Sequence, residues 1–121
     1  MTWEYEVTSC LFYRNGTPKH RALYAGARHY YNDPSKECVS DKGPLPRGKY
    51  TIGAPHYSEK TGKYTLDLTP HSSNAMCGRF AFKIHGESAR NPGGASQGCI
   101  IAVFSVRKDI WDSGDRELVV R

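Results

Sequence analysis

Cys99 and His85 are the two side chains of this chain whose type and setting suit covalent chemistry. A free thiol is only a few per cent ionised near neutral pH, and a neighbouring imidazole raises the thiolate fraction and carries the proton away. Attack of such a thiolate on a carbonyl passes through an oxyanion, best met by preorganised backbone N–H groups. Gly98 permits the tight turn that aims its own N–H and that of Cys99 at one spot. The bland alternative makes Cys99 a small buried hydrophobe and His85 a hydrogen-bonded strand end. His85-Gly86 together with Ser96-Gln97-Gly98-Cys99, each beside an apolar strand, favours the nucleophile.

Two strands must position the pair. Phe80, Phe82 and Ile84 alternate with Arg79, Ala81, Lys83 and His85, the period-two pattern of a half-buried strand. That alternation puts His85 on the polar side, with Arg79 and Lys83. Cys99 precedes Ile100, Ile101, Ala102 and Val103, a run apolar enough to be a buried strand, and a glycine-rich loop joins the two. Arg79, on the face of His85, is placed to bind a carboxylate bidentately, the alternative being an ion pair with Glu87 or Asp67. His71, after Pro70, is a second candidate base or substrate contact, although its loop setting favours a surface role.

The remaining segments read as a β-rich scaffold. Trp3, Tyr5 and Val7 alternate with Glu4 and Glu6 in a first strand. Leu11 to Arg14 and Ala22 to Ala25 flank Asn15-Gly16, a hairpin signal, with Pro18 implying a loop longer than two residues. Residues 26–48 are loop-like, with His29, Tyr30 and Tyr31 as a packing lid or groove border. Lys49 to Gly53 and the alternating Tyr64, Leu66 and Leu68 make further strands, separated by a turn at Ser58 to Gly62. His20 and His56 carry no partner pattern and read as solvent-exposed. Ser105 is the expected N-cap and Gly114 the expected C′ of one short helix, with Val106, Ile110 and Trp111 on its buried face. Glu117 to Arg121 closes the chain as a strand.

Composition bounds the rest. The 121 residues suit one domain, 1–121, large enough to bury an ordinary core. Twelve Gly, seven Pro and eight Tyr are typical of turn-rich β proteins. The net charge of +5 favours a polyanionic partner, but the basic residues are scattered, so a carboxylate-bearing polymer fits as well as a nucleic acid. After Met1 the chain runs Thr-Trp-Glu-Tyr-Glu, and no segment suits a signal peptide or membrane span. The four cysteines, at 10, 38, 77 and 99, lack the CxxC spacing of a zinc site, and nothing calls for a cofactor. A Cys10–Cys38 bridge is conceivable, with free buried thiols the expectation for the three besides Cys99.

At these residues a family resemblance enters. His85-Gly86 followed by Ser96-Gln97-Gly98-Cys99-Ile100 resembles the signature of the L,D-transpeptidases, which remodel peptidoglycan stem peptides. The chain is more similar still to the antibacterial transpeptidase-like effectors delivered by type VI secretion. These share an opening like Met1-Thr2-Trp3-Glu4-Tyr5 and a middle like Gly43-Pro44-Leu45-Pro46-Arg47-Gly48-Lys49-Tyr50-Thr51-Ile52-Gly53. They also share stretches like Leu66-Asp67-Leu68-Thr69-Pro70, Gly78-Arg79 and Asn91-Pro92-Gly93, so the likeness covers nearly the whole chain. Gln97 stands where many transpeptidases have a second histidine, and Glu87 where the effectors usually carry aspartate.

The resemblance implies a mainly β L,D-transpeptidase-like sandwich or curled sheet, with one short helix near its C-terminus and Cys99 at the mouth of a groove. It implies L,D-carboxypeptidase or transpeptidase exchange of the terminal D-alanine. The Gly86 carbonyl then holds the His85 ring, Ser96 braces the turn, and the Gly98 and Cys99 N–H groups form the oxyanion hole. Arg79, His71, Asn91 and Gln97 are the candidate substrate contacts. The implied partners are peptidoglycan stem peptides, a secretion apparatus and a periplasmic immunity protein plugging the groove, with no nucleic acid and no membrane insertion. The implied site of action is the target's periplasm, reached without a signal peptide. A cysteine amidase or endopeptidase on the same polymer, a basic nuclease toxin and a non-catalytic wall-binding module remain as alternatives.

Overall fold

The computed structural model describes residues 2–121; Met1, the first residue of the family-like opening, lies outside them. The chain is mainly β. In order it forms β1 (Thr2–Glu6), β2 (Leu11–Arg14), β3 (Thr17–Arg21), β4 (Tyr24–Ala25), β5 (Gly48–Ile52), β6 (His56–Ser58), β7 (Gly62–Pro70), β8 (Phe82–His85), β9 (Ile100–Ile101), α1 (Phe104–Asp112) and β10 (Glu117–Val120). They make one open, curled mixed sheet in the order β3-β2-β1-β10-β5-β7-β8-β9-β4, with β6 paired onto β7. The first and last strands meet in its middle: β1 and β10 run parallel, Trp3 beside Leu118 and Tyr5 beside Val120. Alternation drives this, since Trp3, Tyr5, Leu118 and Val120 are buried while their neighbours are more open. Tyr50, Leu66, Ile84, Ile100 and Ile110 continue the same core.

The Asn15-Gly16 turn is a two-residue one, shorter than expected. Both residues lie in the left-handed region, φ 53° and 77°, as a type I′ hairpin requires. Pro18 sits inside β3, an edge strand, where a missing N–H interrupts no central ladder. The return strand is therefore Thr17–Arg21. Of the segment expected to return, Tyr24–Ala25 forms β4 and pairs with β9 at the opposite edge of the sheet.

Strand β8 starts at Phe82, three residues later than the alternation from Arg79 implies. Ala81 adopts φ 66°, which breaks the extended backbone and turns Phe80 out to 82% exposure. The 3₁₀ turn Pro34–Lys36 is the only regular element among the described residues between β4 and β5, in keeping with the expected loop. Helix α1 caps at Val103 without a side-chain hydrogen bond, so Ser105 lies inside its first turn, while Gly114 takes the expected left-handed C′ role at φ 82°. Val106 and Ile110 are buried, and Trp111 packs against the core.

Two further expectations are corrected. Cys38 and Cys77 are joined in a disulfide, and Cys10 is free and buried. Spacing could not reveal this, because the bridge closes two loops separated by 39 residues. His20 is half-buried, stacking on Trp3 and lying 2.6 Å from Asp109, whereas His56 is exposed as expected, with its Nε2 3.0 Å from Asp67.

Candidate active site

The thiol and the imidazole belong to neighbouring parallel strands. Ile84 pairs with Ile100 and His85 with Ile101, so Cys99, just before β9, stands across from Lys83. Residues paired across a ladder, and those two apart along a strand, share a face. Cys99, Lys83 and His85 therefore share one face of the sheet. The diagonal from Cys99 to His85 combines one strand spacing with a two-residue step, about 8 Å between Cα atoms. Both side chains line a cleft of about 870 Å³.

Sequence reasoning placed His85 on an open polar side; it is only 4% exposed. Its strand is covered on both faces near this end, which alternation alone could not show. Nδ1 lies 2.9 Å from the Gly86 carbonyl and donates to it, leaving Nε2 as the acceptor. Burial lowers the His85 pKa below the usual imidazole value; the Gly86 contact opposes this, while the Arg107 and Lys83 charges reinforce it. The ring is thus neutral near pH 7, the form of a base.

The cysteine turn is built around Ser96, which is buried. Its Oγ accepts from the N–H of Gly26 at 3.0 Å and of Gly98 at 2.9 Å, and donates to the Cys99 carbonyl at 2.7 Å. This removes the Gly98 N–H from the expected oxyanion pair. The Cys99 N–H makes no turn or loop hydrogen bond among the described residues. Gly98 itself has φ 143°, and a Cβ there would meet Phe82, the Arg79 guanidinium and the Gly43 carbonyl within 3.1 Å.

The thiol does not touch the imidazole. Cys99 Sγ lies 4.0 Å from the Ala81 carbonyl, with the Lys83 N–H nearby. Burial pushes its pKa up, against the lowering effect of that N–H and of the Lys83, Lys60 and Arg79 charges. Both directions, thiol up and imidazole down, favour the neutral forms of the pair over the ion pair the sequence suggested.

Arg79 forms neither ion pair weighed for it. Its Nη1 donates to the Glu37 and Pro44 carbonyls, and its Nη2 to those of Gly43 and Gln97. Both forks are filled by backbone, so the bidentate carboxylate grip is already spent inside the protein. What Arg79 does is tie its own β7–β8 connection and the loop between β4 and β5 to the turn that carries Cys99. Glu87 instead organises the glycine-rich loop, accepting from the Tyr24 hydroxyl at 2.6 Å and from the N–H groups of Ser88 and Gly93. Burial would raise its pKa, but those donors hold it below the usual carboxylate value.

Asn91 and Gln97 line the cleft, with the Asn91 carboxamide oxygen accepting from Arg28 at 2.7 Å. His71 is not part of the lining; it sits past the far end of β7 and its Nδ1 bonds Ser73. Nor do His29, Tyr30 and Tyr31 line it; Tyr31 packs on Tyr24 and donates to the Gly93 carbonyl. Sequence reasoning missed Arg107. It donates to the carbonyls of Ala102, Lys63 and Tyr64, and its guanidinium lies where a Cβ on Gly86 would meet it at 2.9 Å. An arginine on the buried side of a short helix, beside Val106, was the available signal. No group of three or more His, Cys, Asp or Glu side chains among the described residues could hold a metal ion. No helix among them is long and apolar enough to cross a membrane.

Chemically, a partly exposed thiol, a neutral oriented imidazole on the same face and an open cleft suit acyl transfer through a thioester. The fold is that of the L,D-transpeptidases. An L,D-transpeptidase from Xylanimonas cellulosilytica superposes with a TM-score of 0.54 at 15% identity, covering 99% of this chain and 59% of that one. An L,D-transpeptidase from Stackebrandtia nassauensis gives 0.55 at 14% identity, covering 99% and 54%. The chain thus spans less than two thirds of each. No curated protein matches it by sequence. The model of the Tlde1 domain matches residues 19–114, and the chain belongs to that family.

Proposed function

We propose that this member of the Tlde1 domain family is a cysteine enzyme acting on peptidoglycan stem peptides, an L,D-carboxypeptidase or L,D-transpeptidase. One observation carries the reading: Cys99 and His85 open into one cleft from one face of adjacent parallel strands, with the His85 Nδ1 tied to the Gly86 carbonyl. The L,D-transpeptidase fold and the Tlde1 domain supply its context.

As substrate enters, His85 Nε2 takes the Cys99 proton and the thiolate attacks the carbonyl between the third and fourth residues of the stem. The C–S bond forms, and the Cys99 N–H is the proposed donor to the oxyanion. Collapse breaks the C–N bond, and His85 returns the proton to the leaving D-alanine amine. Water then resolves the thioester, giving carboxypeptidase action, or a second amine does, giving exchange or a cross-link. Either nucleophile loses its proton to His85, and the thiol is restored.

Such a substrate lies outside the cytoplasmic membrane. The proposed setting is therefore the periplasm of a target bacterium, reached through a secretion apparatus, with an immunity protein covering the cleft in kin. Purified tetrapeptide muropeptides, with and without an added D-amino acid, test the reaction by mass. Loss of one D-alanine or its exchange is expected. Cleavage elsewhere in the stem points to the endopeptidase or amidase, and no change refutes the reading. Fusing a periplasmic signal peptide before Met1 should cause swelling or lysis, and the unfused chain should be harmless in the cytoplasm. Cytoplasmic toxicity alone points to a nuclease.

A further inference from the structure

Three cations stand close enough to Cys99 to favour its anion: Lys83, Lys60 and Arg79. Two of them are already engaged. The Lys83 ammonium donates to Asp67 at 2.8 Å, and both Arg79 Nη atoms are filled by carbonyls. The Lys60 ammonium has no hydrogen bond or ion pair among the described residues.

Its position is set by a well-made turn. Lys60 lies at the tip between β6 and β7, where the Ser58 Oγ accepts from the N–H groups of Lys60 and Thr61. The Thr65 hydroxyl donates to the Gly62 carbonyl across the base of this tip. Glu59 to Gly62 form one wall of the cleft. In the β7–β8 register Leu66 pairs with Ile84, so Gly62 lies beyond the level of His85. Asp41 lines the cleft near Arg79, which precedes β8 at its other end. The cleft thus has the Lys60 ammonium past His85, on the side that also carries Glu59 and Glu87, and the Asp41 and Arg79 pair at the opposite end, with the thiol between them.

We propose that Lys60 is the specificity residue that receives a carboxylate of the peptide while its scissile carbonyl lies at Cys99. This rests on the stem-peptide reading above. Within one residue of that carbonyl such a peptide offers the α-carboxylate of the leaving residue and any carboxylate on the third side chain. An ammonium on a flexible stem suits either as a point charge.

Two readouts separate this inference from the reaction itself. The first is turnover of three peptides: one with both carboxylates free, one amidated at the C-terminus, and one amidated on the third side chain. The second is protection of Cys99 from iodoacetamide by the same peptides, which reads binding without turnover. Lys60→Gln should raise KM and the half-protecting concentration for the doubly free peptide about tenfold or more, with kcat little changed, as expected for losing a charged hydrogen bond. Lys60→Arg should keep most of the wild-type affinity. The peptide lacking the carboxylate that Lys60 holds should bind the wild type weakly and be indifferent to Lys60→Gln, which identifies which carboxylate it is. Equal losses on all three peptides, unchanged values, or no protection of the wild type would overturn the assignment. Protection that depends on Lys60 without any turnover would keep it and refute the transpeptidase reading.

Discussion

Lys83 stands directly across the β8–β9 ladder from Cys99, and the thiol lies against the approach to β8, 4.0 Å from the Ala81 carbonyl, rather than against the imidazole of His85. The proposed nucleophile is therefore set by the backbone around β8 and lies diagonal to its proposed base along the same face. A substrate carbonyl entering the cleft would lie above both groups, so proton transfer and attack can occur together. This arrangement needs rigid strands more than a preformed ion pair.

Cys99→Ala and His85→Ala should each lower muropeptide turnover at least a hundredfold, since removing a nucleophile or its base costs orders of magnitude. Their stabilities should differ. Cys99 is partly exposed and bonds only weakly, so its loss should leave the melting temperature nearly unchanged. His85 is buried and bonded to Gly86, so its truncation should cost about 1–3 kcal/mol. Thermal denaturation beside the mass assay checks both. Turnover above about a tenth of wild type in either variant removes it from the catalytic pair.

Arg79→Lys should lower both stability and turnover. An ammonium has three donors and no planar fork, so it cannot serve the four carbonyls of Glu37, Gly43, Pro44 and Gln97. Carbonyls left without partners cost about 1–3 kcal/mol in all, and the Gln97 link loosens the turn before Cys99. Unchanged stability with reduced turnover would instead mean that Arg79 acts on substrate.

Reduction of Cys38–Cys77 should destabilise the fold. Closing a loop of this length is worth about 3–4 kcal/mol in the chain-entropy account. The bridge lies next to the Arg79 fork, since Cys38 follows Glu37 and Cys77 lies two residues before Arg79. A dithiol reductant, or Cys38→Ser, should therefore lower the melting temperature and slow turnover together. A melting temperature insensitive to reductant counts against a stabilising bridge.

The sheet was legible where alternation ran unbroken. Trp3 and Tyr5, Leu66 and Leu68, and Phe82 and Ile84 all point inward as their spacing demands. It failed where one residue left the extended region: Ala81 ended the pattern and sent Phe80 outward, which periodicity could not foresee. The candidate site was legible as residue types, because Cys99, His85, Ser96 and Gly98 sit in one short stretch. Its supports were not, since Arg79, Arg107 and the Cys38–Cys77 bridge act on backbone groups far away in sequence. Carbonyl acceptors have no residue identity, so no spacing reveals them.

The resting protonation states predict the pH behaviour. Burial lowers the His85 pKa, so the folded protein binds that proton less tightly than the unfolded chain does. Stability should then fall as pH drops from about 6.5 toward the depressed folded value, because the unfolded state takes up the proton first. His56 has the opposite sign: its contact with Asp67 raises its pKa, giving stability that is present at low pH and lost as pH rises through the raised value. Comparing wild type with His85→Gln at pH 7 and pH 5 by denaturant midpoint separates the two, and the variant should lose less on acidification. The thiol sets the alkaline side. Because burial raises the Cys99 pKa, its alkylation by iodoacetamide should keep accelerating beyond pH 9 in the free protein. A plateau already reached at pH 7 would show a resting thiolate and replace the neutral pair with an ion pair. Acid sensitivity equal in wild type and His85→Gln would show that the buried imidazole carries none of the linkage.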